Sequence, residues 1–198
     1  MAKQAKRLIV GISGASGAVY GIRLLEVLRE NPGIETHLIM TEAAKTVISL
    51  ESELDPGQIA LMADHSYSDA DISAAPASGT FQSMGMVVIP CSMKTLSALA
   101  RSYSSGLLRR AGDVTLKERR PLVLAVRETP LHLGHLRLMA DVTETGAIVA
   151  PPVPAFYERP TTIGQLIDHS LGKILDLLDI EHELFKRWDN VRITRPPE

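Results

Sequence analysis

Short apolar runs alternate along this chain with stretches whose apolar residues recur every three or four positions. Leu8-Ile9-Val10-Gly11-Ile12-Ser13 is nearly continuous and ends in a glycine cluster, after which Val19, Ile22, Leu25 and Leu28 keep helical spacing up to Asn31-Pro32-Gly33. The pattern predicts strand, glycine turn, helix and stop. Thr36-His37-Leu38-Ile39-Met40-Thr41 predicts a second strand, followed by a helix from about Glu42 to Leu50 with Ala43, Val47 and Leu50 on one face. From about Ser52 to Ser83 the chain is rich in Ser, Asp, Ala, Gly and Pro, and only a short helix near Gln58 to Ala63 is expected there. A long irregular segment inside a compact domain is usually functional.

Met86-Val87-Val88-Ile89-Pro90 predicts a third strand, which leads through Cys91-Ser92-Met93-Lys94-Thr95 into a helix. A loop over Ser102-Tyr103-Ser104-Ser105-Gly106 precedes a helix from about Leu107 to Glu118. Pro121-Leu122-Val123-Leu124-Ala125-Val126 predicts a fourth strand, a helix runs from about Leu133 to Thr143, and Ala147-Ile148-Val149-Ala150 predicts a fifth. Pro151, Pro152 and Pro154 stop regular structure before a last amphipathic helix from about Ile163 to Leu178 and a polar tail over residues 180–198. Strands that are apolar throughout, alternating with helices, predict an α/β fold: a three-layer, doubly wound, Rossmann-like domain whose mainly parallel sheet is covered on both faces.

Composition narrows this picture. A chain of 198 residues and 21.5 kDa suits one domain, so residues 1–198 are read as a single unit. With 21 Lys and Arg against 23 Asp and Glu, and no basic stripe, the chain lacks the footprint of a nucleic-acid binder. The single cysteine, Cys91, rules out an internal disulfide and a cysteine-based zinc site, and no apolar run is long enough to span a membrane. The basic start is followed by a run broken at Gly11, Ser13, Gly14 and Gly17, which is wrong for a signal peptide, so a cytoplasmic protein is expected.

In open α/β sheets, ligands bind at the carboxyl ends of the strands. Here those ends carry Ser13-Gly14-Ala15-Ser16-Gly17, Thr41, Cys91-Ser92-Met93-Lys94-Thr95, Arg127-Glu128 and Pro151-Pro152. Small hydroxyl residues and glycines suit a phosphate-bearing ligand. The glycines do not fall in G-x-G-x-x-G order, no Gly-Lys-Ser/Thr occurs, and the second strand ends in Thr41 rather than an acidic residue, so a mononucleotide is favoured over a dinucleotide. The plainer alternatives are that the glycines only permit close packing and that Ser92 or Thr95 only caps a helix. Arg110 and Lys117 share a helix face, either as a cationic wall or as a solvated face partnered by Asp113 and Glu118. His132 and His135 share a face but have no third ligand at suitable spacing, so no metal site is expected, and Cys91 is read as a buried small residue.

The motifs resemble those of the UbiX-type flavin prenyltransferase family, including relatives associated with aromatic acid decarboxylases. The resemblance rests on Gly11-Ile12-Ser13-Gly14-Ala15-Ser16-Gly17-Ala18-Val19-Tyr20-Gly21, Pro76-Ala77-Ser78-Gly79, Pro90-Cys91-Ser92-Met93-Lys94-Thr95-Leu96, the Arg110 to Glu118 helix, Arg127-Glu128-Thr129-Pro130-Leu131, and Pro151-Pro152-Val153-Pro154-Ala155-Phe156-Tyr157. It implies a metal-independent enzyme that joins a dimethylallyl group from dimethylallyl phosphate to reduced FMN. The prenylated FMN would serve a UbiD-type decarboxylase, and the assembly would be a homo-dodecamer built from trimers. Carried over by position, FMN would meet Gly14, Ala15, Ser16, Thr41, Ser92, Met93, Lys94, Thr95 and Arg127, while the donor would meet Arg110, Lys117, Tyr157 and Lys173. Ser16, Glu51, Lys117 and Glu128 would carry the chemistry, with Ser16 and Glu128 passing protons. Lys173 stands where many relatives have Arg, and Ile72 where some have Trp. The alternatives are a non-catalytic FMN carrier and a cysteine-decarboxylating flavoprotein, the latter needing an early histidine where this chain has only His37. A bulky residue at Gly14 is expected to abolish flavin binding and leave the fold intact.

Overall fold

Apolar residues on both sides of a strand can be buried only if helices cover both faces of the sheet, and the computed structural model, which describes residues 5–187, has that arrangement. The chain divides into two compact units, Met1–Val153 and Pro154–Glu198. In the first, β1 (Lys6–Ile12), α1 (Ala18–Arg29), β2 (Ile34–Met40), α2 (Glu42–Glu51), α3 (Pro56–Ala60) and β3 (His65–Ser68) build one half of the sheet. The other half comprises β4 (Gly85–Cys91), α4 (Met93–Ala100), α5 (Leu107–Lys117), β5 (Leu122–Val126), α6 (Leu133–Glu144) and β6 (Ile148–Val149). All strands are parallel, in the order β3-β2-β1-β4-β5-β6. The chain therefore winds outward from β1, returns to its other side at β4, and winds outward again.

Every residue of β4 is buried, as are Leu8 to Ile12 of β1. On one face, Ile9, Ile39, Met86 and Val88 pack with Leu96 and Leu99 of α4 and Leu107 and Leu108 of α5. Complete burial of each such side chain contributes about 1.5 to 3 kcal/mol. Helix α1 buries Ala18, Gly21, Ile22, Leu24, Leu25 and Leu28. Gly21 sets its approach, because a Cβ there would stand 2.6 Å from the Ile89 carbonyl oxygen and 2.9 Å from Ile12.

The segment after Ser52 is more ordered than its composition predicts. Asp55 and Gln58 form a reciprocal capping box for α3, and β3 pairs with the end of β2. As a four-residue edge strand with mostly exposed side chains, His65-Ser66-Tyr67-Ser68 carries no apolar signature.

In the second unit, Thr162 and Gln165 make a capping box for α7 (Ile163–Asp176), which buries Ile167, Leu171, Ile174 and Leu175. The expected polar tail folds back on α7 as far as it is described: Phe185 and His182 lie where a Cβ on Gly172 would stand, and Arg187 donates to the Asp176 carboxylate at 2.8 Å and 3.2 Å. The rest of the tail, residues 188–198, lies outside the described residues. Among the described residues, no helix is long and apolar enough to cross a membrane.

Candidate functional site

The reversal of strand order between β1 and β4 opens a crevice at their carboxyl ends. A parallel strand followed directly by a helix delivers the helix N-terminus to that end, so α1 and α4 both aim their first amides at the crevice. Ser13 ties its two walls. Its hydroxyl donates to the Pro90 carbonyl at 2.9 Å and accepts from the Ser92 amide at 2.8 Å. Ser13 is buried, so its hydroxyl is committed to the scaffold. Ser92 caps α4, accepting from the Thr95 amide at 3.3 Å and donating to its hydroxyl at 3.2 Å. The amides of Met93 and Lys94 have no intrahelical acceptor by position, which leaves an anion-binding end. Thr41 likewise caps α2, accepting from Ala44 at 3.1 Å.

The glycine turn has two separate jobs. Gly17 takes φ +100°, which favours glycine, and turns the chain into α1. Gly14 permits contact with α2: a Cβ there would lie 2.4 Å from Ala43 Cβ and 3.0 Å from the Ala43 carbonyl carbon. The expectation that a bulky Gly14 would leave the fold intact is therefore corrected, since valine would press on the α2 backbone as well as on any ligand.

At the first turn of α1, Glu51 accepts from the amides of Gly17 at 2.8 Å and Ala18 at 3.2 Å. Burial opposes its ionisation, but hydrogen bonds from the Ser16 hydroxyl and those two amides, with the charge of Arg127, outweigh it and hold the carboxyl below the usual range. Ser16 after β1, Arg127 after β5 and Glu51 at the last residue of α2 thus form one group. Ser16 is bonded to Glu51 and not to Glu128, which instead accepts from the Thr129 amide at 3.0 Å. Cys91 is fully buried, and burial pushes its thiol up to about 12, so it stays protonated.

Arg110 and Lys117 do share a face, and it is the partnered one: Arg110 bonds Asp113 at 3.1 Å and the Ala77 carbonyl at 3.2 Å, while Lys117 donates to Glu118. Lys117 closes α5 just before β5 begins, and its ammonium lies beside Gly79. That is the end of the sheet where strands start, so Lys117 does not reach the crevice of its own chain. In the second unit, the Tyr157 hydroxyl bonds His169 Nε2 at 2.7 Å, and Lys173 lies 3.8 Å from Asp176.

The flavoprotein family model matches residues 1–187. The flavin prenyltransferase UbiX of Escherichia coli K12 is 55% identical over 185 residues, covering 92% of this chain and 98% of that protein. The chain belongs to the UbiX-type flavin prenyltransferase family. The UbiX of Thauera aromatica is 52% identical over 92% of this chain and 93% of its own length. The crystal structure of AnUbiX (PadA1) with FMN and dimethylallyl pyrophosphate superposes with a TM-score of 0.93 at 44% identity, covering 96% of this chain and all of that one. A dodecameric FMN-dependent UbiX-like decarboxylase from Escherichia coli O157:H7 gives 0.90 at 46%, covering 92% and 99%.

For a UbiX-type chain the donor set suits an FMN phosphate: the first amides of α4, the hydroxyls of the Ser92 to Thr95 turn, and Arg127, whose amide donates to the Cys91 carbonyl at 3.0 Å at the foot of that turn. Two contributors escaped sequence reasoning: Ser13 was grouped with the ligand hydroxyls although it is a brace, and His169 was not singled out although it bonds Tyr157. Glu118, by contrast, was expected as a partner of Lys117 and is one.

Proposed function

We propose that this protein joins the dimethylallyl group of dimethylallyl phosphate to reduced FMN, and that the prenylated FMN is delivered to a UbiD-type aromatic acid decarboxylase. The observation that carries this reading is the crevice at the β1–β4 reversal, with Ser16, Glu51 and Arg127 grouped beside two helix N-termini, in a chain 55% identical to a named flavin prenyltransferase. The Ser92 to Thr95 turn holds the FMN phosphate on its amides, and Gly14, Ala15 and Thr41 line the approach. When bound, reduced FMN supplies the nucleophilic N5 and C6 atoms. The Ser16 hydroxyl, already bonded to the Glu51 carboxylate, relays a proton by passing its own to Glu51 as it takes up one released at the flavin, and the reverse transfer restores both groups; Glu128 serves as a second proton acceptor. Arg110, Lys117, Lys173 and the Tyr157 hydroxyl stabilise the negative charge that develops on the departing phosphate oxygen, which takes the electron pair of the broken allylic C–O bond.

Because Lys117 and Ser16 lie at opposite ends of one sheet, the working site draws them from different copies of the chain, in a homo-dodecamer built from trimers. The protein acts in the cytoplasm.

The test is anaerobic incubation with reduced FMN and either dimethylallyl phosphate or dimethylallyl pyrophosphate, followed by flavin mass and absorbance. FMN should gain one five-carbon unit from the monophosphate. Unchanged FMN with folded protein and either donor would overturn the prenyltransferase reading, and product from the pyrophosphate alone would overturn the choice of donor.

A further inference from the structure

A second constellation lies on the β2–β3 edge, away from the β1–β4 reversal. Along β2, Glu35 and His37 are two apart and so face the same side of the sheet. The parallel register sets His65 of β3 opposite His37, and the two imidazoles stack with centroids 4.6 Å apart at 15°. Both Nε2 atoms converge on one carboxylate oxygen: His37 lies 3.1 Å and His65 3.0 Å from Glu35 Oε1, and one ligand atom of each of the three residues lies within 4.8 Å of the others. His37 Nδ1 is held at 2.9 Å by the Tyr67 hydroxyl, which fixes the ring and leaves Nε2 for the cluster.

We propose that Glu35, His37 and His65 bind one divalent transition ion of the zinc class, which ties the edge strand β3 to β2. Two imidazoles and a carboxylate are a zinc donor set, and a tetrahedral ion with bonds of about 2.0–2.1 Å wants ligand atoms about 3.3 Å apart. The two carboxylate-to-imidazole distances need to open by only a few tenths of an ångström. His65 is half exposed and can adjust, whereas the His37 side chain is 3% exposed and fixed. Three protein ligands leave one tetrahedral position for a water. Arg7, 3.6 Å from the same oxygen, is the competing cation, and it retains the Phe81 ring at 5.1 Å when an ion takes the carboxylate. Spacing along the chain could not find this set, because His65 is brought to Glu35-x-His37 only by strand register.

The experiment uses full-length, tag-free protein stripped with chelator. Cobalt(II) is titrated while visible absorption is followed, zinc is added in competition, and bound metal is counted after gel filtration. Thermal unfolding is compared with and without zinc. One equivalent per chain with intense tetrahedral-type cobalt bands, bleached by zinc, is expected, and zinc should raise the unfolding temperature. His65→Ala removes an exposed ligand and should weaken binding more than about tenfold, the lower end of the loss seen even for an outer partner. Glu35→Gln should do the same if His65→Ala misfolds. His132→Ala tests the other close pair, His132 and His135, whose rings are 3.6 Å apart, and should change nothing. No retained metal, unchanged binding in both cluster variants, or loss of binding in His132→Ala would overturn the assignment.

Discussion

The carboxylate of Glu51 is the residue on which the crevice turns. It satisfies two first-turn amides of α1, meets the Ser16 hydroxyl, and feels Arg127. Its folded-state pKa is depressed, so its contribution to stability is complete above the ordinary glutamate value of 4.5 and fades as pH falls through the lower folded value. Glu51→Gln keeps the shape but loses the charge. Because the group is largely exposed, the charge-assisted bonds should be worth only about 0.5 to 1 kcal/mol, measured as the difference in urea unfolding at pH 7. That difference should shrink toward zero as the pH is lowered past 4.5. An equal gap at both pH values would mean that shape, not ionisation, makes the contact.

At the scale of elements, the strands and helices with an apolar face were legible in the sequence because burial leaves a period, and the glycine turn was legible because α1 must start where β1 ends. Strand β3 was not, since an exposed edge needs no apolar alternation. The candidate site was legible as a set of strand ends, but not as a set of partners. Ser16 with Glu51, and Ser13 with Pro90 and Ser92, pair across 35 or more positions, and only the sheet order brings them together. Gly21 marks what one helix needs from its strand. Alanine would gain up to about 1 kcal/mol of helix propensity there. Its methyl, however, would fall 2.6 Å from the Ile89 carbonyl oxygen, a backbone atom that cannot turn aside. Overpacking of this kind costs about 1 to 3 kcal/mol. Gly21→Ala should therefore lower the unfolding midpoint in urea, and a raised midpoint would show that α1 can lift from the sheet.

At the scale of the whole molecule, the proposed sharing of one site between copies makes a prediction about mixtures. Ser16→Ala and Lys117→Ala should each be nearly inactive as pure assemblies. Coexpressed and purified as mixed oligomers, they should recover about a quarter of wild-type activity, because random assembly joins an intact Ser16 to an intact Lys117 at about one site in four. Mixed oligomers no more active than either parent would place both residues in one copy. The position of β1 also matters while the chain is being made. It pairs with β2 soon after its own synthesis, but its other edge must wait for β4, whose last residue, Cys91, follows Ile12 by about 80 positions. At roughly 5–20 residues per second, the ribosome leaves that apolar edge uncovered for about 4 to 16 seconds. For that interval the nascent half-sheet, with Leu8 and Val10 at its open border, is a substrate for chaperones or for a neighbouring nascent chain.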